Sequence, residues 1–191
     1  MKTITRHRGL RNIAVLRKAA ACCSCFLFFV VCLTAQRLTS RENQVKAVFL
    51  FNFTQFVEWP ARSFSSPDSP FIIGVIGNDP FGSYLDETVA GEKVMNHPLV
   101  IQRYKDLNEL QNCHLLFIGQ DDPQKIKAIL DVVNRRHTLT VSDYKNFAYS
   151  GGMIRFFTQD NKTRLQINLS ISKAAELNIS SKLLRVAEII D

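Results

Sequence analysis

Two short apolar runs, each followed by an Asp-Pro pair, constrain what this chain can fold into more than any other feature. Phe71-Ile72-Ile73-Gly74-Val75-Ile76 and Leu115-Leu116-Phe117-Ile118-Gly119 carry no charge and are too short for ordinary helices. Continuous apolar runs of that length are expected of strands buried on both faces of a parallel sheet. After the first run, Asp79 suits an N-cap and Pro80 the first position of a helix reaching about Val89. After the second, Asp121-Asp122-Pro123 opens a helix to about Arg135, with Ile126, Ile129, Leu130 and Val133 on one face. Thr138 to Ser142 reads as the next strand, and Lys93 to Tyr104 as an extended segment interrupted or bent near Pro98. Strands alternating with helices predict an α/β fold, Rossmann-like: a single three-layer domain with a mostly parallel central sheet and right-handed crossovers.

The end of the chain changes character. Met153 to Phe157 and Arg164 to Leu169 flank the polar turn Gln159-Asp160-Asn161-Lys162, and Leu165, Ile167 and Leu169 alternate with Arg164, Gln166 and Asn168. That pattern predicts a half-exposed antiparallel hairpin at one edge of the sheet. A last helix is expected from Ser180 or Ser181, burying Leu183, Leu184, Val186, Ala187 and Ile190.

Upstream of the sheet, residues 41 to 59 contain neither Gly nor Pro and read as one helix, closed by Pro60. Val45, Val48, Phe49, Phe53 and Phe56 share a face, while Ala47, Leu50, Phe51 and Val57 fall outside it. A helix so apolar around its circumference is expected to be covered on more than one side, by its own sheet and by a second subunit. The Ser- and Pro-rich residues 60 to 70 follow as a loop.

The net charge of +7 invites a nucleic-acid reading, but its location argues against one. Lys2, Arg6, Arg8, Arg11, Arg17 and Lys18 precede an uncharged apolar stretch from Ala19 to Ala35, and residues 1 to 35 hold no Asp or Glu. The remaining residues carry only +1, too little to attract a phosphate backbone, so no nucleic acid is expected as a partner. A basic start before an apolar run is a secretory signal pattern. Residues 1 to 35 are read as a signal peptide cleaved after Ala35, or as an uncleaved membrane anchor, and either places the domain of residues 36 to 191 outside the cytoplasm. Four of the five cysteines lie in that segment, which leaves Cys113 alone, expected as a small buried residue.

No catalytic, cofactor or metal constellation stands out. His97, His114 and His137 lack the spacing of a metal site and read as turn or surface histidines. Ser150-Gly151-Gly152 lacks the nucleophile elbow pattern and reads as a tight turn. Residues 78 to 82 sit where an anion site could lie, but without a dinucleotide fingerprint or a phosphate-loop lysine. Asp121-Asp122 reads as a cap. In Glu58-Trp59-Pro60 the indole suits either core packing or an aromatic contact with a ligand or partner.

Two separated motifs resemble the YfiR-like family. The first is Val45-Lys46-Ala47-Val48-Phe49-Leu50-Phe51-Asn52-Phe53 with Phe56-Val57-Glu58-Trp59-Pro60. The second is Gly151-Gly152-Met153-Ile154-Arg155-Phe156, then Arg164 to Leu169, then Ile179-Ser180-Ser181-Lys182-Leu183-Leu184-Arg185-Val186-Ala187. The resemblance implies a non-enzymatic periplasmic protein, usually a homodimer, that binds and represses the periplasmic part of an inner-membrane diguanylate cyclase. It brings no catalytic residues and no cofactor. Relief of that repression raises cyclic di-GMP and favours biofilm growth. Phe49, Phe53, Phe56, Trp59, Pro60, Leu183 and Leu184 are the expected partner or dimer interface. Two departures stand out: Cys113 cannot form the intrachain disulfide some relatives use, and Glu176 stands where relatives often have Gly.

Other classes predict different arrangements. A solute receptor would bring polar groups such as Glu58, Arg155 or Arg164 together in a closed apolar pocket. An enzyme would place His114, His137 and a carboxylate within ligand distance.

Overall fold

The computed structural model describes residues 41–134 and 136–191; the segment read as a signal peptide or anchor lies outside them. The described chain opens with helix α1 over residues 41–56 and a short strand β1 at Val57–Glu58. The two buried runs become β2 (Phe71–Gly77) and β5 (Leu115–Gly119), the latter followed by helix α3 (Pro123–Val133) and β6 (Leu139–Ser142). Helix α2 (Ser83–Val89), β3 (Lys93–Val94) and β4 (His97–Tyr104) lie between them in sequence. The chain ends with β7 (Ile154–Gln159), β8 (Lys162–Asn168), α4 (Leu169–Ala174), β9 (Asn178–Ile179), α5 (Ser181–Leu184) and β10 (Ala187–Ile190).

Among the described residues, the main sheet runs β10-β8-β7-β6-β5-β2-β4-β3. Strands β4, β2, β5, β6 and β7 are parallel, β7 and β8 form an antiparallel hairpin, and β3 is antiparallel to β4. The three-layer α/β expectation therefore holds. Ala47, Leu50 and Phe53 of α1, with Leu85 and Val89 of α2, share one core with one sheet face. Ile126, Ile129, Leu130 and Val133 of α3 close a second core on the other, as their spacing predicts. Asp122 caps α3 by accepting from the Gln124 and Lys125 amides.

Five local expectations are corrected. Helix α1 stops at residue 56, because Val57 and Glu58 pair antiparallel with Ile179 and Asn178. Its core face is Ala47, Leu50, Phe53 and Thr54, roughly a third of a turn away from the expected one, so Val45 and Val48 stay exposed at 40% and 39%. Helix α2 begins at Ser83 instead of Pro80: Asp79 accepts from the Phe81 and Gly82 amides in its own turn, and its other oxygen is held by Arg103 at 2.7 Å. The bend in the 93–104 segment falls at Met95-Asn96, both at positive φ, which makes β3 and β4 a tight hairpin with Pro98 inside β4.

The fifth correction concerns the C-terminus. Helix α5 is a single turn, capped by Ser180 as expected, and residues 187–190 run as a strand beside β8. The hairpin is therefore not the edge. Its polar side is covered too: Gln166 donates to Glu188 at 2.9 Å, and Asn168 donates to the Ala148 carbonyl at 3.0 Å while capping α4. Of the expected helix face only Leu183 is buried, and Val186 is 61% exposed.

The sheet reverses its winding at β2, between β4 and β5, the place where open α/β sheets usually bind ligands beyond the carboxyl ends of their strands. Here backbone fills it. The Asn78 amide donates to the Gly119 carbonyl at 2.8 Å, and a Cβ on Gly119 would lie 1.9 Å from the Asn78 carbonyl oxygen. Gly119→Ala is expected to force β2 and β5 apart, with a loss of about 1–3 kcal/mol or more, read from chemical denaturation. A variant as stable as the wild type would show that the two loops are not packed this closely.

Candidate functional site

The opposite, amino-terminal end of the sheet gathers most of the residues singled out in the sequence. His97 begins β4, His114 directly precedes β5, and His137 precedes β6, so three histidines far apart in sequence arrive at the same end of the sheet, with β2 between the strands of His97 and His114. Two of them are not the turn or surface histidines expected: His97 and His114 are buried, 8% and 7% exposed, whereas His137 lies in a turn and is half-buried. The loop after Pro60 folds over them and inserts Phe64 between the two rings, 3.9 Å from His97 and 4.6 Å from His114. Phe71 also stacks on His114 at 4.6 Å, with its ring 6.3 Å from Phe64, and Trp59 meets Phe71 edge-on at 4.8 Å.

Hydrogen bonds fix each ring. His114 Nδ1 accepts from the Ile72 amide at 3.0 Å, which leaves Nε2 to donate to the Ser63 carbonyl at 3.1 Å. The Trp59 indole donates to the His114 carbonyl at 3.0 Å, so of the two roles considered for Trp59 the structure shows core packing. His97 Nδ1 donates to the Ser69 carbonyl at 2.6 Å. Burial pushes the His114 imidazole down to about 4, so it is neutral at physiological pH. Burial also pushes the Cys113 thiol up to about 12, which keeps it a thiol and not a nucleophilic thiolate. These groups hold the loop after Pro60 in place.

His137 and Arg62 form a second tie. His137 Nδ1 donates to the Ala175 carbonyl at 2.9 Å, and its Nε2 accepts from Arg62 Nε at 2.9 Å. Arg62 also pairs with Glu176. Glu176 has φ +59°, the left-handed geometry that glycine adopts most easily, so the turn retains a glycine-like backbone while the side chain gains an ion pair. His114 and His137 do line one cleft, but no carboxylate lines it with them. No cluster of His, Cys, Asp and Glu among the described residues could hold a metal ion.

The carboxyl-terminal end carries an ion-pair network instead of a ligand site. Arg103 forks onto Asp86 at 2.6 and 3.0 Å and reaches Asp79 at 2.7 Å and the Gly82 carbonyl at 2.9 Å. The Arg103 hydrogen bonds hold the Asp86 carboxyl below its usual range. This ties β4 to α2 and occupies the donors that an anion at residues 78–82 would need.

The seven expected interface residues divide by burial. Phe53, Trp59 and Leu183 are buried in the core of one chain, whereas Phe49, Phe56, Pro60 and Leu184 are half-buried beside it. Of the polar groups considered for a solute pocket, Arg155 keeps a buried Nε without a hydrogen-bond partner among the described residues. Glu58 accepts from Asn178 at 2.8 Å, Arg155 lies over the Phe157 ring, and Arg164 faces Phe157 across the hairpin. No local pattern signalled the ring stack or the role of Arg62, and Glu176 stood out only as a departure from the Gly of relatives.

Fold and site together define an α/β domain whose loops are fixed by aromatic stacking and backbone hydrogen bonds. The YfiR/HmsC-like family matches residues 43–188, most of the chain, and the chain belongs to that family. The family is one of regulatory proteins of the periplasm connected with diguanylate cyclase signalling. Solved structures also match. One is a conserved domain protein from Vibrio cholerae O1 biovar eltor str. N16961, 12% identical with a TM-score of 0.48. The likeness covers 63% of this chain and 55% of that one, so this chain spans little more than half its length. No curated protein matches. No helix among the described residues is long and apolar enough to cross a membrane.

Proposed function

We propose that the chain is an exported, non-enzymatic regulator that binds the periplasmic part of an inner-membrane diguanylate cyclase and holds it inactive, thereby restraining cyclic di-GMP and biofilm growth. Residues 1 to 35 deliver it as a signal peptide, or retain it as an anchor, and residues 36 to 191 are the working domain. The observation that carries this reading is family membership across residues 43–188. The mechanism is differential binding: a regulator shifts a partner's equilibrium only by as much as it binds one state better than the other.

The surface that suits this role is the outer flank of α1. Val45 and Val48 are exposed there, and Phe49 and Phe56 are partly exposed and packed on the core beneath. Pro60 and Leu184 are further half-buried contributors to a partner or homodimer contact, while Phe53, Trp59 and Leu183 brace it from inside. The test is affinity capture of the tagged, exported chain from detergent-solubilised membranes of its native cell. Recovery of a membrane protein with a cytoplasmic cyclase domain, lost on Val48→Asp in a variant that still folds, is the expected result. Equal recovery with Val48→Asp excludes the α1 flank, and recovery of no membrane protein removes the regulatory reading.

A further inference from the structure

Three loops at the amino-terminal end of the sheet surround a cleft of about 240 Å³. The turn Ala61–Ser63 supplies Arg62, the residues before β5 supply Asn112 and His114, and the turn between α3 and β6 supplies Arg136 and His137. Two guanidiniums thus share one cleft that no Asp or Glu lines. Arg62 is fixed in place: His137 accepts from its Nε, Ala175 anchors His137 in turn, and Glu176 takes Nη2. Among the described residues nothing bonds its Nη1. Arg136 makes one long contact, Nη1 to the Gln111 carbonyl at 3.4 Å, which leaves Nε and Nη2 without a partner there. Its positive charge also reaches inward, where it opposes the upward push of burial on the Cys113 thiol.

Guanidinium donors left over in a concave site, Nη1 of Arg62 beside its Glu176 pair and Nε and Nη2 of Arg136 with no carboxylate partner among the described residues, match the planar acceptor oxygens of a carboxylate or phosphate group. We infer that this cleft binds a small soluble anion, a carboxylate or a phosphate ester, between Arg62 and Arg136, with the Asn112 amide as a further donor and His137 as the residue that positions Arg62. The inference stands on the cleft itself and does not need the regulatory reading, although a regulator with such a site would have a place for a soluble signal to act.

Isothermal titration of the purified protein at low ionic strength, with inorganic phosphate and separately with succinate, tests it. One saturable site is expected, weakened about tenfold or more by Arg62→Gln and by Arg136→Gln, because each removes charge-assisted hydrogen bonds. Lys127→Gln, on the exposed side of α3, should leave the affinity unchanged. Binding of phosphate alone identifies a phosphoryl ligand, and binding of succinate alone a carboxylate. In the wild-type protein the Arg62 and Arg136 Nε–H resonances should also move on titration, a readout independent of how the variants fold. No saturable binding of either probe, or binding that both arginine variants retain, overturns the assignment.

Discussion

Phe53→Ala is expected to lower stability by about 3–5 kcal/mol, the range for truncating a fully buried aromatic residue. Phe53 is completely buried on the core face of α1 and stacks on Phe156 of β7, with ring centroids 5.9 Å apart. Phe49 packs beside both rings at 6.1 and 6.0 Å. Alanine would leave a ring-sized cavity between helix and sheet, walled by residues that cannot collapse into it without unseating α1. For a chain of this size the melting temperature should fall by roughly 10 °C or more. Val48→Asp, on the exposed side of the same helix, should change stability by no more than about 0.5 kcal/mol. The pair separates core from surface on one element. If Phe53→Ala melts within a few degrees of the wild type, α1 does not sit on β7 as described.

Acid is expected to loosen the domain through His114. Burial pushes its imidazole down to about 4; the hydrogen bond to Ser63 opposes that shift and nearby His97 adds to it. The unfolded chain titrates near 6.5. Above that pH the imidazole is neutral in both states and contributes nothing against folding. As pH falls from about 6.5 towards 4, the unfolded chain takes up a proton that the folded chain refuses, so stability is lost progressively, by up to about 3 kcal/mol. Below about 4 the loss levels off. His114→Phe keeps a ring in the stack but cannot titrate. Its baseline stability should be lower, since the Ile72 amide and Ser63 carbonyl lose their partner, yet its slope of stability against pH between about 6.5 and 4 should be shallower than that of the wild type. Equal slopes would assign the acid sensitivity to other groups.

The parts of the fold legible in sequence were those decided by neighbours in sequence. The runs at 71–76 and 115–119 become central strands because nothing in them tolerates water on either side. Asp122-Pro123 starts a helix because its own amides satisfy the cap. The misreadings arose where a distant partner decided. Asp79 has the local chemistry of an N-cap, but Arg103, far along the chain, takes one of its oxygens. Leu183, Leu184, Ala187 and Ile190 are spaced like a helix face, yet the open side of β8 offers hydrogen bonds that draw the segment into a strand. On α1 the excess of apolar residues left its core face undetermined; contact with Phe156 and its neighbours selects Phe53, Leu50 and Ala47. The candidate site was hardest to read for the same reason. Stacking of His97, Phe64, His114 and Phe71 depends on strand order, which no local pattern states.

The central claim is that this domain restrains a membrane-bound diguanylate cyclase. The most direct measurement is the cyclic di-GMP content of the native cell with the chain deleted, then restored as wild type or as Val48→Asp. The account predicts that deletion raises cyclic di-GMP, that the wild-type chain returns it to its starting level, and that a folded, exported Val48→Asp chain does not. Cyclic di-GMP unchanged by deletion would contradict it.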